Sequence, residues 1–153
     1  MLEMKLTKER TISSDGKMNF ILMNGDKAIG YYNTWERLHE SMNRGNKKLS
    51  KKDLEKINEV SAMLDTSIKQ INDACKKFKK DDNINISVFD FDVRGVNFNE
   101  VCIYKKGTST IIASMGTVQS CMWKITQWNL MNGEDLTKST KQILKSLYEV
   151  SYE

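Results

Sequence analysis

The chain has 153 residues and a mass of 17.7 kDa, enough for one domain and too short for two full-sized ones. Apolar residues make up 39% and charged residues 29%, which excludes wholesale disorder, and no apolar run approaches the roughly 18 residues that a membrane span needs. The formal charge is only +4, too small by itself to name a partner.

Met1 to Leu6 has no apolar signal-peptide core, so a cytoplasmic protein is expected. The first third reads as a β-meander over about residues 5–32. Ser14-Asp15-Gly16 and Asn24-Gly25 are turn signals, Met18 to Met23 and Lys27 to Tyr32 are strands, and the span near Lys5 to Ile12 supplies a third. Asn33 and Glu36 have the spacing of a helix N-cap pair, Trp35, Leu38 and Met42 recur at helical intervals, and Gly45 stands where the helix would end.

The longest signal follows. Ser50 and Asp53 open a helix over about residues 51–80, in which Leu54, Ile57, Ser61, Leu64, Ile68, Ile71, Cys75 and Phe78 keep an unbroken 3-4 spacing. A stripe that long must be covered by a sheet, other helices or a second subunit, so self-association is expected. Asp81 to Asn83 ends it. A second meander over about residues 84–115 comes next, with a change of apolar parity at Val88-Phe89 that predicts a strand covered on both faces or a bulge. Phe98 to Lys106 and Thr108 to Met115 are its last strands. Residues 117–131 fit helix or strand, with helix favoured because Asn132-Gly133 would end it. A final helix runs over about residues 134–150.

The expected fold is therefore α+β, a single domain over residues 1–153: two antiparallel β-meanders packed with a long central helix and a C-terminal helix. This sheet-then-helix order, met twice, resembles that of single-stranded nucleic-acid-binding folds of the PUR and Whirly types. The likeness is one of element order and shares no motif.

The charge is unevenly placed. Arg44 to Lys80 holds 11 basic and 5 acidic residues. Lys47, Lys48, Lys51 and Lys52 cluster at the start of the long helix, and Lys76, Lys77, Lys79 and Lys80 at its end. These two groups are candidate phosphate contacts, with Tyr32, Trp35 and Arg94 as further binding candidates. Lysines in a last helical turn also offset the helix dipole, which is the plainer reading of the second group.

Chemical motifs are few. Val88-Phe89-Asp90-Phe91-Asp92 would put Asp90 and Asp92 on one side of a strand, where they could share a divalent cation. The string resembles the nucleophile motif of haloacid dehalogenase-type phosphatases, which implies Asp90 as nucleophile and Asp92 as general acid. Ile111 to Ser114, Lys124 and Gly133 to Asp135 stand where that family's later motifs would fall, but Arg94-Gly95 departs from its pattern, and hairpin-linked strands depart from its α/β architecture. Cys75, Cys102 and Cys121 form no metal-binding or disulfide pattern. His39, the single histidine, has no nucleophile beside it in sequence. No P-loop, G-x-S-x-G or G-x-G-x-x-G occurs.

The sequence thus predicts a non-catalytic binding protein without cofactor or metal, self-associating and contacting nucleic acid or an acidic protein surface. Two alternatives stand beside it: a small magnesium-dependent phosphohydrolase or phosphotransferase using Asp90 and Asp92, and an inhibitor or anti-defence protein of a phage or mobile element. The last fits the composition, where 20 lysines against 4 arginines, with 13 asparagines, point to an AT-rich genome.

Overall fold

In the first half, β1 (Glu3–Lys5), β2 (Arg10–Ser14), β3 (Phe20–Asn24) and β4 (Lys27–Tyr32) form an antiparallel sheet in chain order. The computed structural model describes residues 3–6, 9–15, 17–44, 50–78, 84–95 and 100–149. The expectations placed on Gly16, Gly45, Lys47, Lys48, Lys79 to Asn83, Phe98 and Val150 lie outside the described residues. The span read as one strand near Lys5 to Ile12 holds two, with Met4 opposite Ile12. The β3–β4 turn begins at Gly25, whose φ of 59° suits a residue without a side chain.

A helix, α1 (Trp35–Asn43), follows directly. Its N-cap is Thr34, whose hydroxyl accepts a hydrogen bond from the Arg37 amide at 3.2 Å. That is one residue later than the Asn33–Glu36 spacing predicted. The next helix, α2 (Lys51–Cys75), is capped by Ser50, and its 25 residues span roughly 37 Å. It stops short of the predicted 80 because Lys76 and Lys77 form a turn.

The second half repeats the plan. Strands β5 (Ile84–Val88), β6 (Phe91–Gly95), β7 (Val101–Lys105) and β8 (Ile111–Gly116) make another antiparallel sheet in chain order. Helices α3 (Val118–Met131) and α4 (Leu136–Glu149) follow, so residues 117–131 are settled as helix. The parity change at Val88-Phe89 is neither a bulge nor a doubly covered strand. Phe89 and Asp90 form a two-residue hairpin turn, with Val88 paired to Phe91 and Phe89 held at φ 54°.

Each sheet buries one face. Ile12, Phe20 and Leu22 pack with Trp35, Leu38 and Met42 of α1 and with Ile57 and Leu64 of α2. Ile86, Val88, Val93 and Ile103 pack with Ile71 and Cys75 of α2, and with α3 and α4. Both cores therefore share α2, and α3 joins them again through Val118 at one end and Met131 at the other. Met18, on the β2–β3 connection at φ 65°, is fully buried in the core of the second sheet.

The long apolar stripe has its cover within the chain. Ile57, Ser61, Leu64, Ile71 and Cys75 are buried and Leu54 and Ile68 half-buried, against α1, α3 and α4. The stripe thus gives no independent argument for a second subunit. No helix among the described residues is long and apolar enough to cross a membrane.

Candidate functional site

Lys124 sits on α3 among residues that are buried all round: Met122, Ile125, Thr126 and Gln127. It is only 3% exposed. Its ammonium group donates a hydrogen bond to the Asn33 carbonyl at the β4–α1 junction and lies 4.6 Å from the centroid of the Phe20 ring. Burial pushes its pKa down to about 8, while the carboxylates of Glu36 and Asp15 act in the other direction. Glu36, in the first turn of α1, accepts a hydrogen bond from Gln127 Nε2 at 3.0 Å. A lysine of α3 is thereby tied to two parts of the first half, β3 and the β4–α1 junction.

This junction is concave. One lobe, of about 250 Å³, is lined by Glu36, Ser120, Trp123 and Gln127. A second, of about 350 Å³, is lined by Lys17, Asn19, Asn33 and residues 112–114 of β8. Thr34, Met115 and Lys124 line both, so the lobes belong to one cleft with Lys124 at its base. Lys17 is exposed at the mouth. Its loop is set by Asp15, whose carboxylate accepts from the Lys17 and Asn19 amides at 2.9 Å each and from the Tyr31 hydroxyl at 2.8 Å.

The wall formed by β8 also has a local cause. β8 is an edge strand, paired only with β7. Its register with β7 shifts twice, between Val101 and Cys102 and between Ile103 and Tyr104. Bulges of this kind re-aim side chains, and here Ile112, Ala113 and Met115 all pack onto the core while Ser114 stays exposed.

The residues nominated from sequence do not assemble into one site. Lys51 and Lys52 are exposed at one end of α2, and Lys76 and Lys77 lie just past the other, roughly 37 Å away. Lys76 pairs with Asp73 at 3.1 Å. Lys77 donates to the Leu147 carbonyl near the end of α4 and lies over the Phe78 and Tyr148 rings. Trp35 is buried, its indole donating to Ser61 Oγ at 2.8 Å and its ring edge-on to Phe20. The Tyr32 hydroxyl is bonded to Ser41 Oγ at 2.9 Å. Neither aromatic is offered to a base.

Asp90 and Asp92 are also separated in role. Asp90 lies in the β5–β6 turn, exposed, and its carbonyl accepts from the Lys106 amide at 3.0 Å. Asp92 lies on β6, where it accepts from the Gly107 amide at 2.9 Å, Ser87 Oγ at 2.7 Å and Arg94 Nη2 at 3.1 Å. Those bonds, the Gly107 amide foremost, hold its carboxyl below the usual carboxylate range. Arg94 also donates to the Thr108 carbonyl and stacks 4.3 Å from the Tyr104 ring. This is a closed network that pins the β7–β8 turn to the sheet. Among the described residues no three of His, Cys, Asp and Glu converge on a metal position.

His39 is bonded to Asn58 Oδ1 at 2.8 Å. Cys75 and Cys121 are buried in the core, and Cys102 is half-buried beside Ser114 Oγ at 3.5 Å. In the sequence Lys124 stands out only where a phosphatase motif would fall, and Lys17 and Asn19 belong to no motif. The one signal available is a lysine set directly between Trp123 and Ile125.

No protein-family model, no curated protein and no solved structure matches this chain.

Proposed function

We propose that this is a non-catalytic binding protein that receives an acidic segment of a protein partner in the cleft over Lys124. The observation that carries the reading is the convergence of Lys17 and Lys124 on one concave site, lined on one side by a bulged edge strand. A carboxylate entering there would meet Lys17 at the mouth and the Thr34 and Ser114 hydroxyls beside it. Met115 and Trp123 supply apolar contact for the stem of such a side chain.

A protein segment is favoured over nucleic acid because Lys51 and Lys52 start α2 while Lys76 and Lys77 lie past its far end, and Tyr32, Trp35 and Arg94 are engaged within the fold. Phosphate-backbone binding needs a connected basic track with stacking faces open to solvent. No catalytic step is assigned to Asp90 and Asp92, because Asp90 stands in an exposed turn and the Asp92 carboxylate is held by Gly107, Ser87 and Arg94.

The test is fluorescence anisotropy with a labelled Glu-rich peptide and, in parallel, a labelled single-stranded oligonucleotide of equal charge. The reading predicts saturable peptide binding that Lys17→Glu weakens and that Lys51→Glu with Lys52→Glu leaves unchanged. Oligonucleotide binding that depends on Lys51 and Lys52, with no peptide binding, would overturn it in favour of nucleic acid.

A further inference from the structure

Among the described residues Lys124 is the one buried lysine, and it is buried at the base of a cleft instead of in closed core. The Asn33 carbonyl and the Phe20 ring fix its amine in place. An amine desolvated in this way holds its proton less firmly and has a larger share of nucleophilic free base. The burial-driven fall to about 8 agrees with that. Glu36, held by Gln127, lines the same lobe, and the cleft leaves room for solvent beside Lys124. Lys17 stands at the mouth of the adjoining lobe, with Asp15 two residues before it.

We propose that Lys124 is an imine-forming lysine, and that its ligand is a small carbonyl compound bearing a carboxylate that Lys17 receives. The ammonium gives one proton to solvent in the cleft, and the nitrogen lone pair attacks the carbonyl carbon. The carbonyl oxygen then takes that proton, giving a carbinolamine. A second nitrogen proton passes by way of solvent to the new hydroxyl, which leaves as water while the carbon–nitrogen double bond forms. An ammonium and a carbonyl become a protonated imine and water, and no oxidant or reductant is needed. The positive charge stays on the nitrogen, so its contact with the Phe20 ring is kept.

The inference rests on the cleft as a ligand site but not on its macromolecular partner. The test treats the full chain at pH 8 with limiting glyoxylate and cyanoborohydride, then maps reduced adducts by peptide mass spectrometry. The α-amino group, which ordinarily titrates near 8, is scored separately. Lys124 is expected to gain adduct about tenfold faster than the average surface lysine, given its lowered proton affinity. That preference should vanish when the chain is unfolded in guanidinium, and Lys17→Glu should slow labelling at Lys124 alone. Adducts spread over surface lysines with Lys124 spared, or labelled no faster, overturn the inference even if the acidic peptide binds. Selective labelling of Lys124 supports it even if the peptide does not.

Discussion

Lys124 of α3 rests on Phe20 of β3, its ammonium 4.6 Å from the ring centroid, so a cation from the second half is seated on the inner face of the first sheet. The two residues are 104 positions apart in the chain. The contact joins the two halves beneath the cleft, and it has a pH signature. Burial lowers the Lys124 pKa from 10.5 to about 8, so between those values the unfolded chain binds the proton that the folded chain has released. Folding stability contributed by this residue therefore rises as pH rises through that window.

The check is urea unfolding of the native chain and of Lys124→Met at pH 7 to 10. The stability of the native chain relative to the variant should rise by up to about 1.4 kcal/mol per pH unit, about 3 kcal/mol in all. The raised thiol pKa values of Cys75 and Cys121 act in the opposite direction above pH 9, but both proteins carry them and they cancel in the difference. Parallel curves would show that Lys124 is not desolvated.

Asp92→Ala should cost about 1–3 kcal/mol, because it strands the Gly107 amide, Ser87 and Arg94 together. Asp90→Ala, on an exposed turn, should change stability by no more than about 0.5 kcal/mol. Because the Asp92 pKa is depressed in the folded state, its contribution is present above about pH 4 and lost as pH falls below it. Magnesium should not alter either variant. A magnesium-dependent rise in the stability of the native chain, abolished by both substitutions, would instead restore the shared-cation reading.

Met18→Ala should destabilise by about 2–5 kcal/mol, the range for emptying a fully buried large side chain. Met18 comes from the first sheet's connection and fills the second sheet's core. The unfolding of both halves should therefore remain one transition in the native chain. Two separate transitions by near-ultraviolet and far-ultraviolet circular dichroism would contradict that coupling.

Thiol labelling offers a simple check of the core. Burial pushes the Cys75 thiol up to about 12 and the Cys121 thiol higher still, whereas Cys102 is half-buried on the outer side of β7. Ellman's reagent should titrate one thiol quickly in the folded protein and three after denaturation. Three fast thiols in the native state would mean that the second core is open.

The architecture was legible where periodicity or turn chemistry was local. Leu54 to Cys75 keeps helical spacing without interruption, and α2 is continuous there. Gly25 and Gly107 mark turns by the positive φ they permit. The β5–β6 turn was not legible, because Phe89 occupies a left-handed conformation that aromatic residues seldom adopt, and no glycine announced it. The parity change was real, but its cause was a reversal of the chain.

The candidate site was mostly hidden. A lysine cluster in sequence looks like a binding patch, yet a helix as long as α2 carries its two ends far apart. The cleft depends on Lys17, Asn33 and Lys124, brought together by tertiary packing across most of the chain, and no local pattern encodes that meeting. The placement of Asp90 and Asp92 was hidden for the complementary reason: Asp90 stands in the β5–β6 turn, so the strand alternation expected of the two does not apply.

The most direct test of docking at the Lys124 cleft is a residue-resolved nitrogen-15 NMR titration of the full chain with the Glu-rich peptide. Amide shifts should gather at Lys17, Asn19, Thr34, Ser114 and Met115, the residues that line the cleft. Shifts confined to Lys51, Lys52 and Lys76 at the two ends of α2, with the cleft residues unmoved, would contradict it.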